Sequence, residues 1–291
     1  MWSKLFRAEW YKITGNRWAT GCMIWIFPGL AVLVTLFALG AVVFSSSFRN
    51  GVTEDPALWT EVAILPWAIP NNPLGRMLLI GFTAVLFAGE YQWNTWKVIV
   101  PRSQRVPLIM VKYFAVALFV VFAFVLMSIL LTLGLGLVSL AIGSSYGPKI
   151  TGDVLTDFAK DYGQQMLVSF TTTIIAAGYV SLAAMLTRSI LGSAVTGIVI
   201  TLGETMLFLP LALLSWLFDK EDIIQVYRFV PSFNLNNLFI WLNGETPEGI
   251  KLASGRTIVD SQLFSEGVLL CWVVGLVTLT AYFFYKQDIT N

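Results

Sequence analysis

The residue types that usually carry enzyme chemistry are scarce in this sequence. It contains no histidine, which is the commonest general base and a frequent metal ligand. Cys22 and Cys271 lie in apolar stretches without the spacing of a metal or redox site, so we interpret both as packing residues. No Gly-x-x-x-x-Gly-Lys-Ser/Thr motif is present to hold a nucleotide. The sequence therefore predicts no catalytic residue, no metal site and no cofactor bound by this chain, which we do not expect to be an enzyme.

Glu204 is the one ionisable residue near the centre of a long apolar stretch. A charge in the hydrocarbon core is costly, and such residues usually face the bundle interior or a water-filled cavity. One interpretation is that Glu204 contacts a substrate or a proton on a translocation path. The other is a protonated carboxyl group hydrogen-bonded to a neighbouring helix, for example through Thr171, Thr172 or Thr173. The sequence leaves both interpretations open.

The segment from Gly89 to Lys112 holds the second group of candidates. It reads Gly-Glu-Tyr-Gln-Trp-Asn-Thr-Trp-Lys over residues 89–97, then Pro-Arg-Ser-Gln-Arg over 101–105, and then Lys112. Its first part has the pattern of an amphipathic helix, with Trp93, Trp96 and Val100 on one side. By its residues alone, it could equally be an ordinary basic loop that holds orientation.

The elements that must position these residues are membrane-spanning helices. Hydrophobic residues make up 57% of the chain and charged residues only 12%, whereas soluble proteins average about 25% charged. The apolar runs are continuous rather than alternating, which favours helices over a barrel. We therefore predict an all-α membrane protein with one membrane domain over residues 1–291. An interfacial helix over 2–14 precedes six transmembrane helices at about 18–44, 73–89, 108–142, 164–186, 190–218 and 267–285.

The second span and the loops are less regular. Arg76 and Glu90 bracket only 13 uncharged residues, so we place Arg76 one turn inside with its side chain reaching back to the headgroups. The alternative is that Arg76 faces a polar cavity. Residues 45–72 are predicted as a polar loop and 219–265 as an outer loop. Within the outer loop, Pro231–Leu242 is too short to span and is predicted as an interfacial or re-entrant piece.

The distribution of charge predicts an orientation. Six spans put both termini on one side, with ten of the 18 Lys and Arg residues and three of the 17 acids. Basic residues close to span ends mark the cytoplasmic side. We therefore expect a multi-pass membrane protein with both termini and the segment 90–106 in the cytoplasm. A net charge of +1 predicts no nucleic-acid partner.

The segment after the second span resembles the signature of ABC-2-type permeases, the membrane subunits of one class of bacterial ABC exporters. That signature is Gly-Glu-aromatic, two residues, Gly-Thr, then Pro-x-Ser-Arg, then a lysine that opens the third span. Matching residues are Gly89, Glu90, Tyr91 and Thr95, whereas Asn94 replaces a glycine and Gln104 is inserted before Arg105. The run Glu9-Trp10-Tyr11-Lys12 resembles the family's helix before the first span, and Lys286-Gln287-Asp288-Ile289 resembles its closing Arg-Arg-Asp-Ile. The six-span layout agrees over the whole chain.

The resemblance implies a type V exporter-like architecture in which residues 90–106 form a coupling segment that docks on a separate ATPase. Two ATPase subunits, which bind ATP and Mg²⁺, would serve a pair of permeases, the second being the same chain or a homologue, within membrane lipid. The implied ATPase-coupling residues are Glu90, Tyr91, Trp93, Thr95, Trp96, Arg102, Arg105 and, in a second and smaller contact, Arg188. The substrate moved outward by alternating access would be a peptide antibiotic, a drug or a lipid-like molecule.

Two other functions are compatible with the composition. An ion-coupled secondary transporter would use Glu204 as its ion site, although such folds usually carry inverted repeats and the sequence shows no internal repeat. A non-transporting membrane scaffold or sensor is the third hypothesis, and it would predict a sizeable soluble domain or a kinase partner.

Overall fold

The computed structural model describes residues 2–17, 20–21, 24–99, 104–252 and 254–288. This part of the chain is almost entirely helical. In chain order the helices are α1 Trp2–Gly15, α2 Ile26–Phe44, α3 Ser46–Glu54, α4 Trp59–Ile64, α5 Pro73–Gln92, α6 Trp96–Ile99, α7 Arg105–Ile142, α8 Gly152–Thr187, α9 Ile190–Met206, α10 Phe208–Phe218, α11 Pro231–Leu242 and α12 Gln262–Lys286. Two 3₁₀ segments cover Leu65–Asn71 and Glu221–Phe229. The prediction of an all-α membrane protein is confirmed.

Five helices of the described chain, namely α2, α5, α7, α8 and α12, are long and apolar enough to cross a membrane. Helices α9 and α10 reach the same length and hydropathy as a pair, but they are bent by 52° at Leu207. The predicted span over 190–218 thus consists of two helices, and the described chain has five spans, or six if the bent pair counts as one. Side-chain contacts place the ends of α5, α8 and α12 and the start of α7 at one end of the bundle. Residues 190–261 therefore carry the chain once to the opposite end.

The long helices pack around α7 and α8. Helix α7 lies against α1, α2 and α12, while α8 lies against α5, α9, α11 and α12. At the crossing of α2 and α7, a side chain at Gly134 would collide with Thr35, so glycine allows the two backbones to approach. The largest core cluster contains fully buried aromatic rings, including Phe27, Phe124 and Trp67. These contacts hold the ends of the helices in fixed positions.

Helix α1 is part of the bundle rather than a separate surface helix. Trp10 stacks on Phe119 of α7 with 4.4 Å between ring centroids, and Phe6 meets Phe114 at 5.4 Å. Ile13 is buried in the core. The interfacial helix predicted over 2–14 is thus an amphipathic helix whose apolar face packs along α7.

Two loop regions differ from the sequence prediction. Residues 45–72, predicted as a polar loop, form α3, α4 and a 3₁₀ segment in which Trp67 is buried. Helix α8 begins at Gly152, 12 residues before the predicted start of the fourth span, because Thr151 caps it by accepting a hydrogen bond from the Val154 amide. With 36 residues α8 is about 54 Å long, so its charged first turns extend beyond about 30 Å of hydrocarbon.

The outer segment 219–261 is folded against the bundle. Helix α11 has the predicted bounds and packs on α8 and α12, and β1 Ile250–Lys251 pairs antiparallel with β2 Thr257–Ile258. Arg228 forms a salt bridge with Asp260 at 2.5 Å, and this hydrogen-bonded pairing raises the pKa of Arg228. Arg228 therefore fastens the 3₁₀ segment Glu221–Phe229, in which it lies, to the residues just before α12.

Candidate functional site

Three buried charges from separate elements meet at the end of the bundle that holds both described termini. Lys112, in the second turn of α7, places its Nζ 2.9 Å from Glu9 Oε2 and 2.8 Å from Glu90 Oε1. The same Nζ donates to the carbonyl oxygen of Leu86 at 3.1 Å. Glu9, Glu90 and Lys112 are each less than 5% exposed. A single lysine thus joins α1, α5 and α7.

Lys12 completes this group, which we call the charge cluster (Glu9, Lys12, Glu90 and Lys112). Its Nζ lies 2.8 Å from Glu9 Oε1 and also pairs with Glu90. Lys12 is partly exposed, so it forms the solvent-facing side of the cluster. Two carboxylates face two ammonium groups, which satisfies the requirement that buried charges be paired and hydrogen-bonded. Beside the cluster lies a cavity of about 570 Å³, bordered by Trp93 and Thr95.

The turn after α5 ties residues 93–95 to the charge cluster. The Thr95 amide donates to the carbonyl oxygen of Glu90 at 3.0 Å, and the Thr95 hydroxyl donates to the Glu90 carboxylate. An added Cβ at Gly89 would lie 2.7 Å from the ring of the exposed Trp93, so a larger residue there would displace that ring. Asn94 has φ of 53°, a left-handed conformation that glycine adopts without strain and asparagine tolerates. Residues 89–95 therefore form a tight turn closed by Thr95 on Glu90.

We expect Asn94→Gly to leave stability within about 1 kcal/mol of the parent and Asn94→Val to lower it by about 1–2 kcal/mol. Valine is strained at positive φ, whereas glycine adopts that conformation freely. Chemical unfolding in mixed micelles would measure both variants. Equal stability of the two variants would contradict the left-handed turn at this position.

Trp93 and Trp96 do not share a face, contrary to the amphipathic pattern predicted from their spacing. Trp96 is buried, packs on Phe284 at 4.5 Å and lies 5.2 Å from Lys112 Nζ, whereas Trp93 is 55% exposed. The left-handed residue Asn94 interrupts the helix between them, so helical spacing does not apply. The side chain of Val100, the third residue of that pattern, lies outside the described residues.

The residues after α12 lie against Tyr91. The Tyr91 hydroxyl donates to the side-chain oxygen of Gln287 and to Met185 Sδ, and the Gln287 amide donates to the Met185 carbonyl. Arg188 follows α8 with its guanidinium carbon 6.0 Å from the centre of the Tyr91 ring. Asp288, Arg188 and Lys97 line a shared cavity of about 180 Å³. The turn after α8 and the closing residues thus reach the coupling segment.

Arg105 has a structural position that the sequence did not predict. Its Nη1 donates to the carbonyl oxygens of Tyr285 at 2.7 Å and Gln287 at 2.6 Å, which caps the end of α12. Arg105 therefore fastens α7 to the C-terminal end of the bundle. Arg102, one of the three arginines predicted to contact an ATPase, lies outside the described residues.

Glu204 lies apart from the charge cluster, in the last turn of α9. Its carboxylate accepts a hydrogen bond from the Tyr179 hydroxyl of α8 and interacts electrostatically with Arg76. The partner helix is the predicted fourth span, but the three threonines are not the donors. Thr172 donates to the Asn71 side chain at 2.7 Å, while Thr171 and Thr173 bond to their own helix. Glu204 is thus hydrogen-bonded within the protein.

Comparison with protein-family models and with curated proteins gives no match for this chain.

Proposed function

We propose that this chain is the membrane subunit of an ATP-driven exporter of the ABC-2 type. A separate ATPase, holding ATP and Mg²⁺, would bind the end of the bundle that carries the charge cluster. The strongest support is that three distant parts of the sequence meet in space. Residues singled out by resemblance in three distant parts of the sequence, including Glu9, Glu90, Lys112 and Gln287, lie at one end of the molecule.

The exposed surface beside the charge cluster suits a docking role. Trp93, Lys97 and Arg188 are exposed and come from the two connections that would face the ATPase. An exposed tryptophan next to basic side chains is a typical anchor of a protein interface. We place this surface in the cytoplasm from the distribution of basic residues, and the bacterial plasma membrane is the proposed location.

The charge cluster would transmit movement from the ATPase contact to the helices α1, α5 and α7. Force applied at Trp93 passes through the short turn to Glu90, and from Glu90 through Lys112 and Glu9 to α7 and α1. Buried ionic contacts with several partners resist sliding, so the three helices would move as one unit. ATP-driven closure could then tilt the helices of a permease pair, made of this chain and a second copy or homologue.

The ion-coupled alternative receives less support. Glu204 is the acid it would use, and its carboxylate already accepts the Tyr179 hydroxyl and lies in the field of Arg76. A metal-ion site needs several free oxygen ligands. Among the described residues no group of three or more acids and cysteines is placed to hold a metal ion.

Purification in mild detergent tests the proposal. We expect a P-loop ATPase to copurify in amounts comparable to the permease, and Trp93→Ala to reduce the retained ATPase about tenfold or more. Lys149→Ala, an exposed change at the opposite end, is the matched control and should leave the ATPase bound. Absence of any P-loop protein from the purified complex would contradict the proposal.

A further inference from the structure

Arg76 is a buried charge that the coupling proposal does not use. It lies in the first turn of α5 and is only 7% exposed. Its Nε donates to the carbonyl oxygen of Pro70 at 3.0 Å. Among the described residues, the two terminal nitrogens of its guanidinium group form no hydrogen bond or salt bridge. The side chain is therefore largely buried and lines a cavity that also contains Asn71 and Thr205.

The cavity in front of Arg76 measures about 340 Å³. Arg76, Asn71 and Thr205 line it from one side. Helix α11 lines it from the other side with a mixed wall, in which Ser232 and Asn236 lie beside Leu235 and Phe239. The side-chain oxygen of Asn71 accepts the Thr172 hydroxyl, so the Asn71 amide nitrogen remains as a donor. Thr205 and Phe239 are exposed, which shows that the cavity opens at the surface. The site thus presents donors inside, and Phe239 is an exposed apolar ring at its mouth.

Glu204 does not accept a hydrogen bond from Arg76 among the described residues. It interacts electrostatically with Arg76, but no hydrogen bond or salt bridge joins the two in the described chain. Its carboxylate accepts from Tyr179 instead, and it does not line the cavity. The forked end of the guanidinium group is therefore left for an acceptor from outside the chain. Planar guanidinium groups bind phosphate through two parallel hydrogen bonds.

The depth of the cavity matches the phosphate layer of a membrane. Helix α5 has 20 residues and is about 30 Å long, which equals one hydrocarbon thickness. Arg76 in its first turn therefore lies close to the level where lipid phosphates are found. We infer that the Arg76 cavity binds the phosphate group of a membrane phospholipid. The exposed ring of Phe239 at the mouth of the cavity would contact the start of an acyl chain.

Native mass spectrometry of the purified protein, titrated with phosphatidylglycerol in maltoside micelles, tests this inference. We expect Arg76→Gln to weaken lipid binding about tenfold or more, since hydrogen bonds to a charged group are lost. Arg256→Gln removes the same charge from an exposed residue of the outer segment and should change affinity less than about twofold. Equal weakening by the two variants would overturn the site, because the effect would then be general electrostatics.

Two ligand controls distinguish the chemistry and its source. Diacylglycerol of the same chain length lacks the phosphate, and binding as tight as that of phosphatidylglycerol would overturn the role of the phosphate. Inorganic phosphate that displaced the lipid at equal concentration would overturn the lipid assignment in favour of free phosphate. Arg76→Lys guards against misfolding, because it keeps the charge and loses the fork. We expect an intermediate affinity, and a value equal to that of Arg76→Gln would contradict the inference.

This measurement needs neither an ATPase nor a transported substrate. Its outcome is therefore separate from that of the proposed function.

Discussion

Replacing Lys112 with methionine is expected to lower the free energy of unfolding by about 3–5 kcal/mol, the largest effect of any single change considered for the charge cluster. The substitution keeps the length of the side chain and removes the ammonium group. Glu9 and Glu90, both less than 5% exposed, would then share only the partly exposed Lys12. Two carboxylates left close together in a buried site repel each other and lack their main donor.

Lys97→Met provides the matched control, because Lys97 is an exposed lysine of the same end of the bundle. Its removal should change stability by less than about 0.5 kcal/mol. A second variant, Glu9→Gln combined with Lys112→Met, removes one of the stranded acids and should recover part of the lost stability. Chemical unfolding in mixed micelles measures all three proteins. Similar losses for Lys112→Met and Lys97→Met would show that the cluster does not stabilise the fold.

Truncating Trp96 to alanine is expected to destabilise the protein by about 3–5 kcal/mol, whereas the same change at Trp93 should cost less than about 1 kcal/mol. Trp96 is 1% exposed and packs on Phe284, so its removal leaves a cavity between the coupling segment and α12. Trp93 is 55% exposed and leaves no such cavity. The two residues are three positions apart, which makes them a matched pair.

For ATPase binding the order of the two variants should be the opposite of their order in stability. Trp93→Ala is expected to fold normally and to lose the ATPase, because its ring belongs to the proposed docking surface. Trp96→Ala should lower the yield of folded protein, and the folded fraction should still bind. Equal loss of stability for the two variants would contradict the burial of Trp96, and unchanged ATPase binding by Trp93→Ala would remove Trp93 from the contact.

The spans and the short helix Pro231–Leu242 could be predicted because apolar runs are a local property of the sequence. Helix α7 ends at Ile142 as predicted, and α11 has the predicted bounds. The extent of α8 was missed because its first turns are polar, and hydropathy detects only the part of a helix that lies in hydrocarbon. The bend at Leu207 was missed although Pro210 marks it, because the prediction used only the length and hydropathy of the run. A proline at 210 cannot donate a hydrogen bond to the carbonyl oxygen of Met206, and its ring crowds that turn, which breaks the helix there.

The candidate site was located by resemblance, but its internal geometry was not predicted. Lys112 was counted as one more cytoplasmic base, although it is buried and bonded to Glu9 across 103 positions of the sequence. Charge counts treat each residue separately and cannot detect such pairing. The prediction that Trp93 and Trp96 share one face was wrong for a related reason. Asn94 between them has a positive φ, which interrupts the helix, so helical periodicity does not apply across it. A glycine at position 94 would have marked the turn, whereas asparagine gives a weaker signal.

The most direct measurement for the central claim is site-specific crosslinking in intact bacterial membranes. A photo-reactive amino acid at position 93, on the exposed end of the coupling segment, should crosslink to a P-loop ATPase. The same amino acid at position 149, exposed at the opposite end of the bundle, should not do so. Crosslinking to the ATPase from position 93 alone is the result that we predict. No ATPase adduct from position 93, with the protein folded and present in the membrane, would contradict the account.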